Sequence, residues 1–340
     1  MKDKIVCKTV YVFCPAKTKT GGPELLHQLV FMLNKYGKDA KIVYFGQIDH
    51  SYKIIEEYTD YIDSYLLPDE IEDLPENLVI VPEVNVFLLK KFKNVQKAIW
   101  WLSVDNFYFN YLSIYGLKYQ IFKYGFFNTF KMILRNSKPK LSLKSKFMKT
   151  VEFHLCQSEY AMIECKKFGL KPIYLSDYLN SQFFKDKVNP IQKENIVAYS
   201  PAKGFNFTKK IIKKNPDIKF VPIQNMSRDE VQHLLEQSKV YIDFGNHPGM
   251  DRIPREARMQ GCVIITGKNG SAKYYRDVPI EEKFERRIKN IKKISNLIKN
   301  IFENYDFYNK KQVNYTNFIQ RQEQDFENDV LKIFKNSFEN

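Results

Sequence analysis

The densest chemistry in the chain lies in residues 243–272, DFGNHPGMDRIPREARMQGCVIITGKNGSA. An apolar run ends in Asp243-Phe244-Gly245 and passes into His247-Pro248-Gly249. Asp251, Arg252, Arg255, Glu256 and Arg258 then fall within eight residues, before a second apolar run and a Gly270-Ser271 turn. A guanidinium offers a rigid fork of donors that matches phosphate oxygens, and a carboxylate such as Glu256 accepts from sugar or ribose hydroxyls. A helix opening near Arg252 would take Asp251 as N-cap and tolerate Pro254, because first-turn N–H groups have no intrahelical partner. Its free N–H groups and positive dipole end would then favour an anion. On that helix Ile253, Ala257 and Gly261 share the face that packs on a sheet, and Arg252, Arg255, Glu256 and Met259 share another. The plain alternative is a self-paired, solvated salt-bridge face; the place of the stretch at the end of an apolar run favours the anion site.

Other loops add candidates of the same kind. Lys203-Gly204 in AYSPAKGFNF ends an apolar run, and the lysine could reach the same anion. Gly267 and Gly270 permit close backbone approach, and Ser271 adds a hydroxyl. In TKTGGPE, Gly21 and Gly22 would let a loop pass near a ligand, with Pro23 at the first helical position. In WWLSVDN, Ser103 and Asp105 follow a strand; Asp105 is a candidate base, or equally a structural cap. No Asp-x-Asp motif occurs, so no divalent cation is expected.

These loops need parallel strands to bring them together. KTVYVFCP, AKIVYFG, NLVIVPE, QKAIWWL and EFHLC read as strands, with helices at PELLHQLVFMLNKYG and SEYAMIECKKFG. The pattern restarts with ENIVAYSP, DIKFVPI, VYIDFG and CVIITG as strands and FNFTKKIIKKNP and SRDEVQHLLEQS as helices; Ser227 and Glu230 form a capping box in the latter. Continuous apolar strands between helices mean parallel sheets covered on both faces. The expected fold is α/β, two doubly wound Rossmann-like domains with ligands in a crevice beyond the strands' carboxyl ends. Boundaries are read as 1–178 for the first domain, 179–194 for a linker, 195–305 for the second domain and 306–340 for C-terminal helices.

The chain resembles GT-B-fold glycosyltransferases of the kind found in bacterial capsule and lipopolysaccharide synthesis. GGPE, WWLSVDN, YLSDYLN, the strand-KG turn and above all residues 243–272 carry the resemblance, which spans roughly residues 8 to 280. It implies that Lys203 contacts a donor diphosphate, that Glu256 holds the donor ribose and that Gly270-Ser271 supports the donor; His247, Gly249, Arg252 and Arg255 complete the expected donor site. Gly21, Gly22 and Ser103 would line the acceptor side, and Asp105 and Asp251 are the catalytic candidates. Many relatives carry a further glutamate where this chain has Pro248, which leaves Asp243, His247 or Asp251 to replace it. The C-terminal helices are expected to return to the first domain. The implied activity is metal-independent sugar transfer, without cofactor, from a nucleotide sugar to a growing cell-surface glycan. An epimerase of the same fold, or a basic nucleic-acid-binding protein, is the alternative.

Bulk properties set the remaining expectations. With 340 residues, 44% hydrophobic and 27% charged, the chain suits two globular domains. Its charge of +15 asks for an anionic partner. Residues 106–151 hold nine Lys or Arg, no Asp or Glu, and eleven aromatics between Phe107 and Phe130. Lys118, Lys123, Phe126, Phe127, Phe130 and Lys131 in this insertion fit an anionic membrane surface, single-stranded nucleic acid, the less favoured partner, or a packed insertion with a basic rim. Five cysteines without a CxxC pair read as buried thiols. The start MKDKIVCKTVYVFCPAK reads as a first strand and not a signal peptide. The expected location is the cytoplasm, peripheral at the inner face of the cytoplasmic membrane, next to a glycan or lipid-linked glycan acceptor.

Overall fold

The computed structural model describes residues 4–111, 116–118, 120–121, 125–135, 140–180 and 192–334. The chain divides into two compact units, Met1–Asp177 with Gln324–Asn340, and Tyr178–Glu323. Most of the expected linker, 181–191, lies outside the described residues, as does Lys123.

The first unit is built on six parallel strands: β1 (Thr9–Pro15), β2 (Asp39–Phe45), β3 (Leu78–Pro82), β4 (Gln96–Trp101), β5 (Phe153–Cys156) and β6 (Pro172–Tyr174), in the order β2-β1-β3-β4-β5-β6. Alternate side chains leave opposite faces of a strand, and here both sets are buried. Tyr11, Phe13, Val79, Val81, Ile99 and Trp101 enter one core, while Val10, Val12, Ile80 and Trp100 are equally inaccessible. That is why these strands read as continuous apolar runs. Trp100 stacks on Phe326 of the last helix at 6.2 Å. The first helix, Gly21–Lys35, opens two residues earlier than expected. Gly21 and Gly22 are therefore its first turn and not a free loop, and Pro23 falls at the third position, where its missing N–H is still no loss. β6, three residues long, was too short to carry a pattern.

The second unit holds β7 (Glu194–Tyr199), β8 (Lys219–Pro222), β9 (Ser238–Asp243), β10 (Val263–Gly267) and β11 (Lys283–Phe284), all parallel, in the order β11-β10-β9-β7-β8. Ile196, Ala198, Tyr241 and Ile264 face one core with Ala257 and Tyr315. Val197, Val240, Ile242 and Ile265 face the other with Ile294, Ile298 and Ile301. The order reverses direction between β7 and β9, so the loops leaving these two neighbours diverge to opposite sides and open a ligand position. Lys203-Gly204 follows β7, and the HPG stretch follows β9.

The tail forms helices at Ile291–Glu303, Tyr305–Lys311 and Val313–Ile333. Tyr315 and Ile319 belong to the second unit's core. From Gln324 onward the chain counts with the first unit, where Asp329 accepts from Ser176 N–H at 3.0 Å and from its hydroxyl at 2.6 Å. No helix among the described residues is long and apolar enough to cross a membrane. All five cysteines are buried and free.

Candidate functional site

Three strand-end loops of the second unit interlock through glycines. Gly204 adopts φ +70°, and a Cβ there would lie 2.4 Å from the Phe244 carbonyl carbon. A Cβ on Gly245 would lie 2.4 Å from Lys203 Cγ, and one on Gly270 would lie 1.9 Å from the His247 carbonyl oxygen. Each glycine lets one loop rest directly on the next. Ser271 completes the lock: its N–H donates to His247 O at 2.8 Å and its hydroxyl to Gly249 O at 2.6 Å. The Ser271 hydroxyl and the Gly249 carbonyl thus bond each other and brace the loop.

Within this lock lies a buried charge cluster. The Lys203 ammonium pairs with Asp251 Oδ2 in close contact and stands 3.5 Å from Asp243 Oδ2. His247 Nδ1 is 2.9 Å from Asp251 Oδ2, and Nε2 is 3.6 Å from Asp243 Oδ1. These are ion-pair distances, but both carboxylates lie off the ring N–H directions, so neither ring nitrogen makes an aligned hydrogen bond. Asp243 Oδ1 also accepts from Gly245 N–H at 2.8 Å. Burial alone would lower the His247 pKa; the carboxylates of Asp243 and Asp251 outweigh it and lift it to about 9. Burial pushes the Asp243 and Asp251 carboxyls up, and His247 and Lys203 more than reverse this. Two acids and two cations therefore balance.

The helix Arg252–Met259 forms where expected, but Asp251 does not cap it with its side chain. That carboxylate is committed to Lys203 and His247, which also argues against a free catalytic base. Arg255 departs from its expected role. It is 1% exposed, and its guanidinium donates to Gln322 Oε1 at 2.9 Å, Met250 O at 2.8 Å and Asp251 O at 3.2 Å. A fork so used braces the loop and the tail. Arg258 likewise bonds Thr316 Oγ1 at 2.8 Å and Asn309 O at 3.0 Å. Arg252 stays at the rim, its Nε 3.7 Å from Glu256 Oε1, with both side chains partly exposed.

Asp243, His247 and Asp251 are donor types that divalent cations accept, and a ligand atom from each lies within 4.8 Å of the others. The Lys203 ammonium, however, already pairs with both of these carboxylates.

In the first unit, Ser103 caps the helix Val104–Asn110 by accepting from Asn106 N–H at 3.3 Å. Asp105 is 2% exposed and accepts from the Tyr160 hydroxyl at 2.7 Å. That bond ties the start of this helix to the helix Glu159–Lys167, in keeping with the structural alternative. Glu83, at the end of β3, was missed. It is buried and accepts from Leu102 N–H at 3.0 Å; burial raises its pKa to about 8, against the pull of backbone N–H groups of Leu102 and Ser103. An acid closing the apolar run of NLVIVPE was the available signal. A cavity of about 300 Å³ borders β2 and is lined by Phe31, Asn34, Lys41 and Tyr61, none of them a candidate. On the helix Phe126–Arg135, Phe126, Phe127 and Phe130 are 64%, 81% and 54% exposed. Lys118 and Lys131 are exposed as well.

No family model matches the chain, and no curated protein does. Among solved structures it is similar to the sucrose-phosphate synthase of Thermosynechococcus elongatus, with a TM-score of 0.59 and 11% identity over 96% of this chain and 97% of that one. It is similar to HepE of Anabaena in complex with UDP-glucose, with a TM-score of 0.56 and 12% identity over 97% and 98% of the two chains. TarM of S. aureus, solved with UDP, gives a TM-score of 0.52 and 14% identity over 80% of this chain, which spans only 57% of TarM. At such identities the likeness is one of fold: two parallel α/β units of the GT-B type, as the sequence led us to expect.

Proposed function

We propose that the chain is a glycosyltransferase that takes its sugar from a nucleotide-sugar donor bound by the second unit. The observation that carries this reading is that Lys203, from the loop after β7, pairs with Asp251 at the N-cap position of the helix Arg252–Met259, on which Arg252 and Glu256 lie 3.7 Å apart. A diphosphate requires fixed positive charge, which a lysine, an arginine and a helix end supply together. Glu256 suits ribose hydroxyls. As the glycosidic bond breaks through an oxocarbenium-like state, charge grows on the departing diphosphate, and these groups are placed to stabilise it. The likeness in fold to HepE bound to UDP-glucose supports the donor class. Lys203, paired with both carboxylates, supports transfer without metal. The acceptor in this reading is a growing cell-surface glycan of capsule or lipopolysaccharide type, carried on lipid and met at the inner face of the cytoplasmic membrane. Exposed Phe126, Phe127 and Phe130 within a basic segment support that location.

Calorimetry with UDP, UDP-glucose and UDP-N-acetylglucosamine tests the donor site. Wild-type protein is expected to bind at least one of them with or without EDTA. Arg252→Ala and Lys203→Ala are each expected to lose about 1.5 to 3 kcal/mol, roughly 10- to 100-fold in affinity, with the fold retained. Wild-type protein that binds none, or variants that bind as wild type does, overturns the reading. Rapid release of UDP without any acceptor glycan would instead favour an epimerase.

A further inference from the structure

Two carboxylates share one ammonium at the end of β9, and the backbone is shaped to deliver it. The Lys203 stem lies across Gly245, where a Cβ would meet its Cγ at 2.4 Å and its Cδ at 2.6 Å. The two acids differ in their ties. Asp243 is inaccessible and anchored by Gly245 N–H at 2.8 Å and the Tyr241 hydroxyl at 3.4 Å. Asp251 is partly exposed and occupies the N-cap position without bonding the helix N–H groups. It is held by Lys203 on one side and by His247 Nδ1, 2.9 Å away, on the other. An anion that settles on the N-terminus of the helix Arg252–Met259 arrives beside Asp251, and like charges at that range repel.

We propose that Asp251 is a positioning residue that holds Lys203 in the empty site and yields its ammonium to an incoming diphosphate, remaining paired with His247. The proposal rests on the donor reading above. Asp251 then competes with the donor for Lys203 on entry, and reclaims the ammonium when the nucleotide product leaves. Nucleotide affinity is thereby held down and release speeded. The glycine at 245 is needed because any side chain there would push the lysine stem out of line.

Two measurements separate this device from the donor site itself. Reductive methylation of the ligand-free protein with formaldehyde and dimethylamine-borane, followed by peptide mass spectrometry, reads the holding step. Lys203 is expected to react about tenfold more slowly than exposed Lys209, and Asp251→Asn to remove most of that protection. Calorimetry with UDP reads the transfer. Asp251→Asn is expected to bind UDP about three- to tenfold more tightly, and Lys203→Met at least about tenfold more weakly. The double variant should match Lys203→Met, because the gain acts through the lysine. Methylation of wild-type Lys203 at the rate of Lys209 overturns the proposal. So does weaker UDP binding by Asp251→Asn, or a gain that survives without Lys203. Should Asp251→Asn fail to fold, Gly245→Ala displaces the stem without removing charge and must expose Lys203 to methylation. If no form binds UDP while Lys203 is protected through Asp251, the donor reading and the transfer both fall, and only a structural ion pair stands.

Discussion

His247 shows what single residues contribute here. Its ring is inaccessible, yet two carboxylates lift its pKa from 6.5 to about 9. A raised folded-state pKa contributes stability that is complete below the unfolded value and is lost as pH rises through the folded one. The unfolding free energy read from urea titrations should therefore fall between about pH 6.5 and 9, by about 3 kcal/mol at most from this group. His247→Gln should flatten that window while lowering stability below it. Glu83, raised from 4.5 to about 8, acts in the same direction over a lower window. Glu83→Gln should remove the decline between about pH 4.5 and 6.5 and lessen it from there to about 8, where His247 also contributes; an unchanged decline below pH 6.5 would mean that the carboxyl is not the titrating group. Glycines divide just as sharply. Gly270 has φ +59° and its Cβ would strike the His247 carbonyl oxygen at 1.9 Å, whereas a Cβ on Gly22 meets Leu102 at an ordinary 3.6 Å. Gly270→Ala is expected to cost about 2 kcal/mol or more, and Gly22→Ala less than about 0.5 kcal/mol, by thermal melting.

The helix Arg252–Met259 has two jobs that its sequence does not separate. Its N-terminus and Arg252 face the candidate site, while Arg255 and Arg258 tie it to the tail through Gln322, Thr316 and Asn309. Arg255→Met leaves the Met250 carbonyl and the Gln322 amide without their donor. It should cost about 2 to 4 kcal/mol in chemical denaturation and leave UDP affinity within about threefold. A large loss of UDP affinity with stability intact would return Arg255 to the donor site. The helix Phe126–Arg135 is the other element with an outward task. Replacing Phe126, Phe127 and Phe130 by Ser should abolish sedimentation with phosphatidylserine vesicles at low salt and leave melting unchanged, since these rings are mostly exposed. Wild-type protein that ignores such vesicles, or binds an oligonucleotide in their place, removes the membrane reading.

At the scale of the whole molecule, the tail belongs to both units in turn. Residues from Gln324 onward complete the first unit, where Phe326 stacks on Trp100, Asp329 takes two bonds from Ser176, and Ile333 O accepts from Ile5 N–H at 2.8 Å. Deleting 324–340 should therefore destabilise the first unit although residues 4–177 are untouched. Two melting transitions, the one assigned to the first unit moved down by several degrees, would be the expected result. A profile identical to wild type would show that the sheet stands without the tail.

Strands buried on both faces can only be written as unbroken apolar runs, so the sequence by itself determined nine of the eleven strands among the described residues, the parallel class and the restart of the pattern in the second unit. β6 and β11, three and two residues long, carry no period and emerge only from pairing. The Ser227–Glu230 capping box was legible because it is local, four residues deciding one another's bonds. Roles set by distant partners were not legible. Spacing placed Arg252, Arg255 and Arg258 near one another, yet whether the Arg255 guanidinium meets solvent or Gln322 depends on a residue 67 positions later. Asp251 looked like a cap because its helix begins there; only the arrival of Lys203 from the loop after β7, beside His247 of its own loop, turned its carboxylate away. Glu83 and Asp105 ended apolar runs like any surface acid until packing enclosed them. Local propensity and burial pattern are written along the chain, whereas the competition of charges for one another is decided where the chain meets itself.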